Sequence, residues 1–315
     1  MALADVARLL TLAGLWGASF VFIRVVVPAL GPMWLAFSRV ALAFATLLAL
    51  AALQRSIPPL RERWRDYLVV GTINSALPFG LYAFAEETLS ASTAAILNAT
   101  SPFFGALIAA VWLKEPLSAR QLGGMALGVG GVAWLVGWHG EPLTSAVLAA
   151  ILACLAAALC YGISSVYAKV RMGGVASAST ALYSQLGAAV VLAPTLAAAP
   201  LPSSVSVLVA INMLALAVAS TAYAYRLYFR LIANVGPTRA LTVTFLIPLF
   251  GVLWGVLFLS EPLTPNMIFG GVLILAGTWL ATRPSASPGA ATSPAGAAGQ
   301  TSSAAGPRTC VRSSR

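Results

Sequence analysis

The chain has 315 residues, 60% of them hydrophobic and only 8% charged, with a mean hydropathy of +0.91. Soluble domains carry about a quarter charged residues, so this composition excludes a water-soluble globule and makes lipid the solvent for most of the chain. The net charge of +10 does not mark a nucleic-acid binder, because the basic residues sit between apolar runs and form no stripe interleaved with aromatics.

A hydrocarbon core about 30 Å thick needs roughly 20 apolar residues per helix. Runs of that length predict ten spans, at 9–28, 32–53, 67–85, 92–113, 119–138, 145–168, 178–198, 205–229, 239–259 and 264–282. The first run is too long for a signal-peptide core and no small-residue cleavage site closes it, so it reads as a permanent helix. Only the connection at 54–66, QRSIPPLRERWRD, is distinctly polar. Cys154 and Cys160 fall in the sixth span and Cys310 in the tail; they have neither metal-ligand spacing nor a disulfide framework and read as ordinary thiols. Residues 284–315 turn to Pro, Ala, Ser, Gly and Thr, a composition that cannot bury enough surface to order itself. They predict a disordered cytoplasmic tail, in which Cys310 lies too far from the end for a prenylation box.

Orientation follows from the Lys/Arg bias of the loops. With a cytoplasmic N-terminus, the inner connections hold Arg55, Arg61, Arg63, Arg65, Lys114, Arg120, Lys169, Arg171, Arg239 and Arg283. The outer ones hold Glu86, Glu87, His139, Glu141 and Glu261, without Lys or Arg. Both termini are therefore expected in the cytoplasm, with the chain multi-pass in the cell (inner) membrane.

The chain repeats itself. LKEPLSARQLGGMALGVGGVAWL from Leu113 matches LSEPLTPNMIFGGVLILAGTWL from Leu259, an offset of 146 residues that also pairs Leu81-Tyr82 with Leu227-Tyr228, Pro102 with Pro248, Phe104 with Phe250 and Gly105 with Gly251. Near the starts of the halves the offset is 145, pairing LWGASFVFIRV from Leu15 with CYGISSVYAKV from Cys160. The implied domains are a first five-helix repeat at 1–141, a second at 142–283 and the tail at 284–315. Five spans is an odd number, so the second half enters the membrane inverted, an arrangement typical of secondary transporters.

These features together resemble the drug/metabolite transporter superfamily, in particular its EamA-type ten-helix members, over residues from about 9 to 282. The resemblance implies an all-α integral membrane fold of two inverted five-helix repeats. It also implies alternating-access transport, often export, of metabolites, amino acids or drugs, without naming the cargo.

Some residues then stand out on physical grounds. Pro116 and Pro262 disfavour helix in the residue before them, and Ser118 and Thr264 can cap the helices that follow; the Glu115 and Glu261 corners thus read as structural, with gating as the alternative. Pro102 and Pro248 lie inside spans and free the carbonyls of Asn98 and Thr244, which either line a cavity or are satisfied by a neighbour. Charges inside a membrane are costly, so Arg24 and Arg39 either pair with Glu86 and Glu87 or meet an anionic group in the pathway. Glu86 is also the nearest candidate proton carrier. Arg226 and Arg230 are expected to snorkel to the inner surface. The remaining candidate lining is Trp16, Ser19, Asn74, Tyr82, Asn98, Tyr161, Ser164, Tyr183, Gln185, Thr221 and Tyr225, each of which could instead serve packing. Gly124/Gly128 and Gly251/Gly255 have the spacing for close helix approach, within the chain or in a homodimer.

No catalytic residue, cofactor or metal site is expected: His139 is the single histidine and lies in a loop, and no Walker A pattern occurs. The leading expectation is a secondary transporter of a small molecule. The alternatives are a membrane enzyme acting on lipid or a lipid-linked sugar, and a non-transporting sensor or scaffold.

Overall fold

In lipid every backbone N–H and C=O must find its partner within the chain, and a helix does this segment by segment. Every regular element among the described residues is a helix. The computed structural model describes residues 2–60, 63–137, 144–202, 205–235 and 243–282. Arg61, His139, Glu141, Arg239, Arg283, Cys310 and the expected tail lie outside the described residues.

Helix α1 spans Leu3–Leu53. At ~1.5 Å per residue its 51 residues would run about 76 Å, more than twice the hydrocarbon thickness. It is divided at Gly31 (φ 70, ψ 165), a conformation open essentially to glycine alone, and Pro32 follows at once. The expected spans 9–28 and 32–53 lie on either side of this break. Next come α2 (Trp64–Ala85), α3 (Ala91–Asn98), α4 (Ser101–Trp112), α5 (Ala119–Gly137), α6 (Ser145–Arg171) and α7 (Ser177–Ala198). Helix α8 runs from Val207–Leu214 through Ala215–Tyr223 into Ala224–Val235, followed by α9 (Val243–Leu259) and α10 (Pro265–Thr282). Seven stretches are long and apolar enough to cross a membrane: α1, α2, α3 with α4, α6, α7, α8 and α10; α9 is a shorter apolar helix.

Two irregularities recur at matching places. Thr72–Ala76 in α2 and Ala215–Tyr223 in α8 are π-helical, and the 146-residue offset carries the first segment into the second. Such widened turns redirect side chains and are frequent at functional sites. The third irregularity is not shared. Pro102 does not interrupt a continuous helix as expected: α3 ends at Asn98 and α4 opens at Ser101, with Pro102 in its first turn, where a missing N–H costs nothing. Pro248 instead lies within the continuous α9. The Thr278 hydroxyl of α10 reaches the α3–α4 break, sharing its one proton between the Ala99 carbonyl at 2.8 Å and the Ile274 carbonyl of its own helix at 2.7 Å. Thr278→Val therefore lowers the thermal midpoint in detergent, by about 1 kcal/mol in stability, whereas Thr282→Val at the exposed end leaves it unchanged.

Helix crossings occur where glycines let backbones meet. A β-carbon at Gly124 would stand 2.6 Å from the Gly277 carbonyl oxygen, and one at Gly131 would stand 2.9 Å from that of Gly270. The offset of 146 maps Gly124 to Gly270 and Gly131 to Gly277, so the α5–α10 contact is self-complementary and antiparallel. Gly17 likewise meets Gly251, and Gly162 meets Gly105, each contact being the counterpart of the other. The GxxxG pairs are used inside the chain: Gly124 and Gly128 face Gly277 and Phe103, while Gly251 and Gly255 face Ala95, Ser92 and Glu261.

The two Glu-Pro-Leu corners share a left-handed residue, Lys114 (φ 56) and Ser260 (φ 52). Ser118 and Thr264 cap the next helices through Gln121 N (3.3 Å) and Met267 N (3.3 Å). Beyond that the corners differ. Glu115 forms an exposed ion pair with Lys169 at 2.9 Å. Glu261 reaches the start of α3, accepting from the N–H groups of Ala91 (2.8 Å) and Ser92 (3.0 Å) and from the Ser92 hydroxyl.

Candidate functional site

Both halves of α1, helices α2 and α8 with their π-helical turns, the α3–α4 break, α6 and α9 line a cavity of about 260 Å³, near the lower end of small-molecule sites (about 300–1,000 Å³). Nine of the expected residues line it: Trp16, Ser19, Arg39, Asn74, Tyr82, Asn98, Tyr161, Thr221 and Tyr225. Eight more line it: Phe20, Ile23, Phe79, Ser101, Ser220, Tyr228 and Ile247, which sequence reasoning passed over, and Thr244, singled out there only for its carbonyl.

Six pairs of lining residues are related by the repeat: Trp16 with Tyr161, Asn74 with Ser220, Phe79 with Tyr225, Tyr82 with Tyr228, Asn98 with Thr244, and Ser101 with Ile247. The repeat offset was thus the signal that could have found the missing partners, since Leu81-Tyr82 and Leu227-Tyr228 already align. Aromatic contacts tie the wall together, with Trp16 5.3 Å from Tyr228 and Phe20 5.5 Å from Tyr82, centroid to centroid. The polar groups are held in fixed directions. Asn74 Nδ2 donates to the Tyr225 hydroxyl at 2.9 Å, and the Tyr82 hydroxyl donates to Asn98 Oδ1 at 2.9 Å. The Asn98 carbonyl beside the break accepts from Ser101 Oγ at 2.7 Å, so it is satisfied by a neighbour while both residues face the cavity.

Arg39 is buried, at 5% exposure, with its guanidinium 3.6 Å from the centre of the Phe79 ring. Its Nε donates to Thr221 Oγ1 at 3.1 Å. The offset of 146 takes Arg39 to Gln185 and Ser75 to Thr221, and Gln185 Nε2 donates to Ser75 Oγ at 3.2 Å. The same contact is therefore made twice, once by a cation facing the cavity and once by a neutral amide outside it.

The other expected residues lie apart from the cavity. Arg24 donates to the main-chain carbonyl of Glu86 rather than to a carboxylate, so the expected charge pairing is replaced by a charge–carbonyl bond. Both carboxyl oxygens of Glu86 are buried and have no hydrogen-bond partner among the described residues. Ser164 is buried off the cavity. Tyr183 packs on Tyr67 and donates to the Pro58 carbonyl, and Pro102 and Pro248 are not among the lining residues, though each follows one in sequence, Ser101 and Ile247. Arg226 and Arg230 join Arg8 along a wider cleft of about 960 Å³.

A family model described as "EamA-like transporter family" matches residues 6–137 and again 148–283. "Uncharacterized transporter YoaV" of Bacillus subtilis is 21% identical, the alignment covering 85% of this chain and 93% of that protein. A protein of Streptantibioticus cattleyicolor named "Probable terminal-alkyne amino-acid exporter" is 28% identical, with 85% and 90% covered. The "S-adenosylmethionine/S-adenosylhomocysteine transporter" of Chlamydia muridarum is 26% identical, with 84% and 87% covered. Among solved structures, one crystal structure superposes with a TM-score of 0.64 at 18% identity, covering 89% of this chain and 96% of that one. That likeness carries the fold.

Proposed function

The chain belongs to the EamA-like transporter family, and from that premise we propose that it is a secondary transporter exporting a small metabolite, amino acid or drug by alternating access. The observation that carries this reading is the cavity lined in matched pairs from both halves. Two near-equivalent halves around one central site can present it to either side by exchanging conformations. In this reading residues 1–141 and 142–283 are inverted five-helix repeats crossing the cell membrane ten times, with both termini and the tail at 284–315 in the cytoplasm. The clustering of Arg63 and Arg171 around Asp66 (3.6 and 3.4 Å), with Lys169 on Glu115 nearby in sequence, supports a common inner end. No observation favours the lipid-directed enzyme reading.

The test is flux through purified protein in liposomes, against a panel that includes a terminal-alkyne amino acid and S-adenosylmethionine, with and without a proton gradient. The expected result is saturable flux of at least one compound. Folded protein that moves none of them would sink the proposal.

Glu86 is proposed as the coupling group, since a buried carboxyl without a hydrogen-bond partner among the described residues is well placed to take and release a proton as the site opens. Glu86→Gln is expected to abolish the response of flux to a proton gradient while leaving exchange at equal pH. Retained gradient-driven accumulation in that variant would remove Glu86 from the mechanism.

A further inference from the structure

We propose that the cavity takes a small organic anion, with one acidic group held by Arg39 and an apolar or aromatic body against the surrounding rings. The proposal rests on the transporter reading for its setting and goes beyond it in stating the sign and shape of the cargo.

Its basis is the one departure from pairing that carries a charge. The lining pairs match aromatic with aromatic at Trp16/Tyr161 and Phe79/Tyr225. At the matched position to Arg39, however, the second half has Gln185, which is fully buried and bonded to Ser75. Both make the same anchoring bond, so the anchoring is satisfied by a neutral side chain. The positive charge is surplus to it, and burying an uncompensated cation within a membrane is expensive.

No carboxylate forms an ion pair with Arg39 among the described residues. No acidic residue lines the cavity among the described residues; Glu86, the acidic group that acts on Arg39 electrostatically, is buried outside it. Arg39 spends its Nε on Thr221 and its ring-facing plane on Phe79, which fixes the guanidinium and leaves its terminal nitrogens for a ligand. A guanidinium presents a planar fork that fits a carboxylate through two parallel bonds. Seven of the sixteen other lining residues are aromatic and suit an unsaturated body.

The experiment is calorimetric titration of the purified full-length protein with three isosteres: 3-phenylpropionate, 3-phenylpropionamide and 3-phenylpropylamine. The anion is expected to bind at least about 10-fold more tightly than the amide, the loss of one charge-assisted bond being of that size, with the amine weakest. Arg39→Gln should remove the preference, Arg39→Lys should keep its sign with weaker binding, and Gln185→Leu should leave it unchanged. Equal binding of anion and amide, a preference for the amine, no binding by any of the three, or a preference that survives in Arg39→Gln would each overturn the proposal. Where Arg39→Gln does not fold, the wild-type ratio decides. Flux of the same compounds in liposomes separates the two readings. An anion that binds without crossing defeats transport and leaves the anion site standing, while preferred flux of amide or amine does the reverse.

Discussion

Gly124→Leu and Gly277→Leu each leave little folded protein in the membrane, read as loss of the monodisperse peak on size exclusion after extraction. Association of membrane helices gains nothing from expelling water and depends on close packing. At this seam the packing is backbone on backbone: a β-carbon at Gly277 would stand 2.5 Å from the Gly124 carbonyl oxygen and 2.8 Å from the Gly128 nitrogen. Even alanine must push the helices apart, at a cost of about 1–3 kcal/mol, and leucine costs more. The controls are on the same helix. Gly123 and Gly130 have no atom within 4 Å of an added β-carbon, so Gly123→Leu and Gly130→Leu are expected to behave as wild type. Equal loss at all four positions would mean that helix composition, not the seam, sets stability.

The second large effect is a contrast between two residues that the repeat makes equivalent. Glu261→Ala is expected to lower stability by about 3 kcal/mol or more, because three donors at the start of α3 lose a charged acceptor. The carboxylate also faces the positive end of a helix dipole. Glu115→Ala removes an ion pair whose side chains are 55% and 65% exposed, worth about 0–1 kcal/mol. Thermal unfolding in detergent reads the difference directly. If the two substitutions cost the same, Glu261 is not the tie that the geometry describes. Glu261→Gln isolates the charge, since the amide can accept through its carbonyl oxygen alone.

Hydropathy placed helix over most of the described residues in the expected spans, because length and apolarity are what the bilayer demands of a segment. The pairing of Gly17 with Gly251 and of Gly124 with Gly277 could not be read from spacing, which shows that glycines allow contact without saying with what. The break at Asn98–Ser101 was sensed through Pro102 but assigned to the wrong cause. Proline at a first turn and proline inside a helix look alike in sequence, and the difference lies in where the preceding helix stops. The π-helical turns were invisible for a related reason. Asn74 and Thr221 stood out as polar residues in apolar runs, whereas the extra residue per turn that aims them inward has no compositional mark. Arg39 was legible as a costly charge. That its counterpart is Gln185 required the Thr221 and Ser75 contacts, since a local shift between the 145 and 146 offsets leaves the match in the second span undecided.

The antiparallel seam of α5 and α10 has a consequence for motion. Exchange of the two halves' conformations carries Gly124–Gly277 into Gly131–Gly270 and back, so the seam becomes itself under the operation that turns the protein inside out. Elements that supply the cavity must change neighbours during such a cycle, but a contact on the symmetry axis has no need to, and neither α5 nor α10 lines the cavity. Under the proposed alternating access, the glycine seam is the contact that the exchange of halves leaves in place.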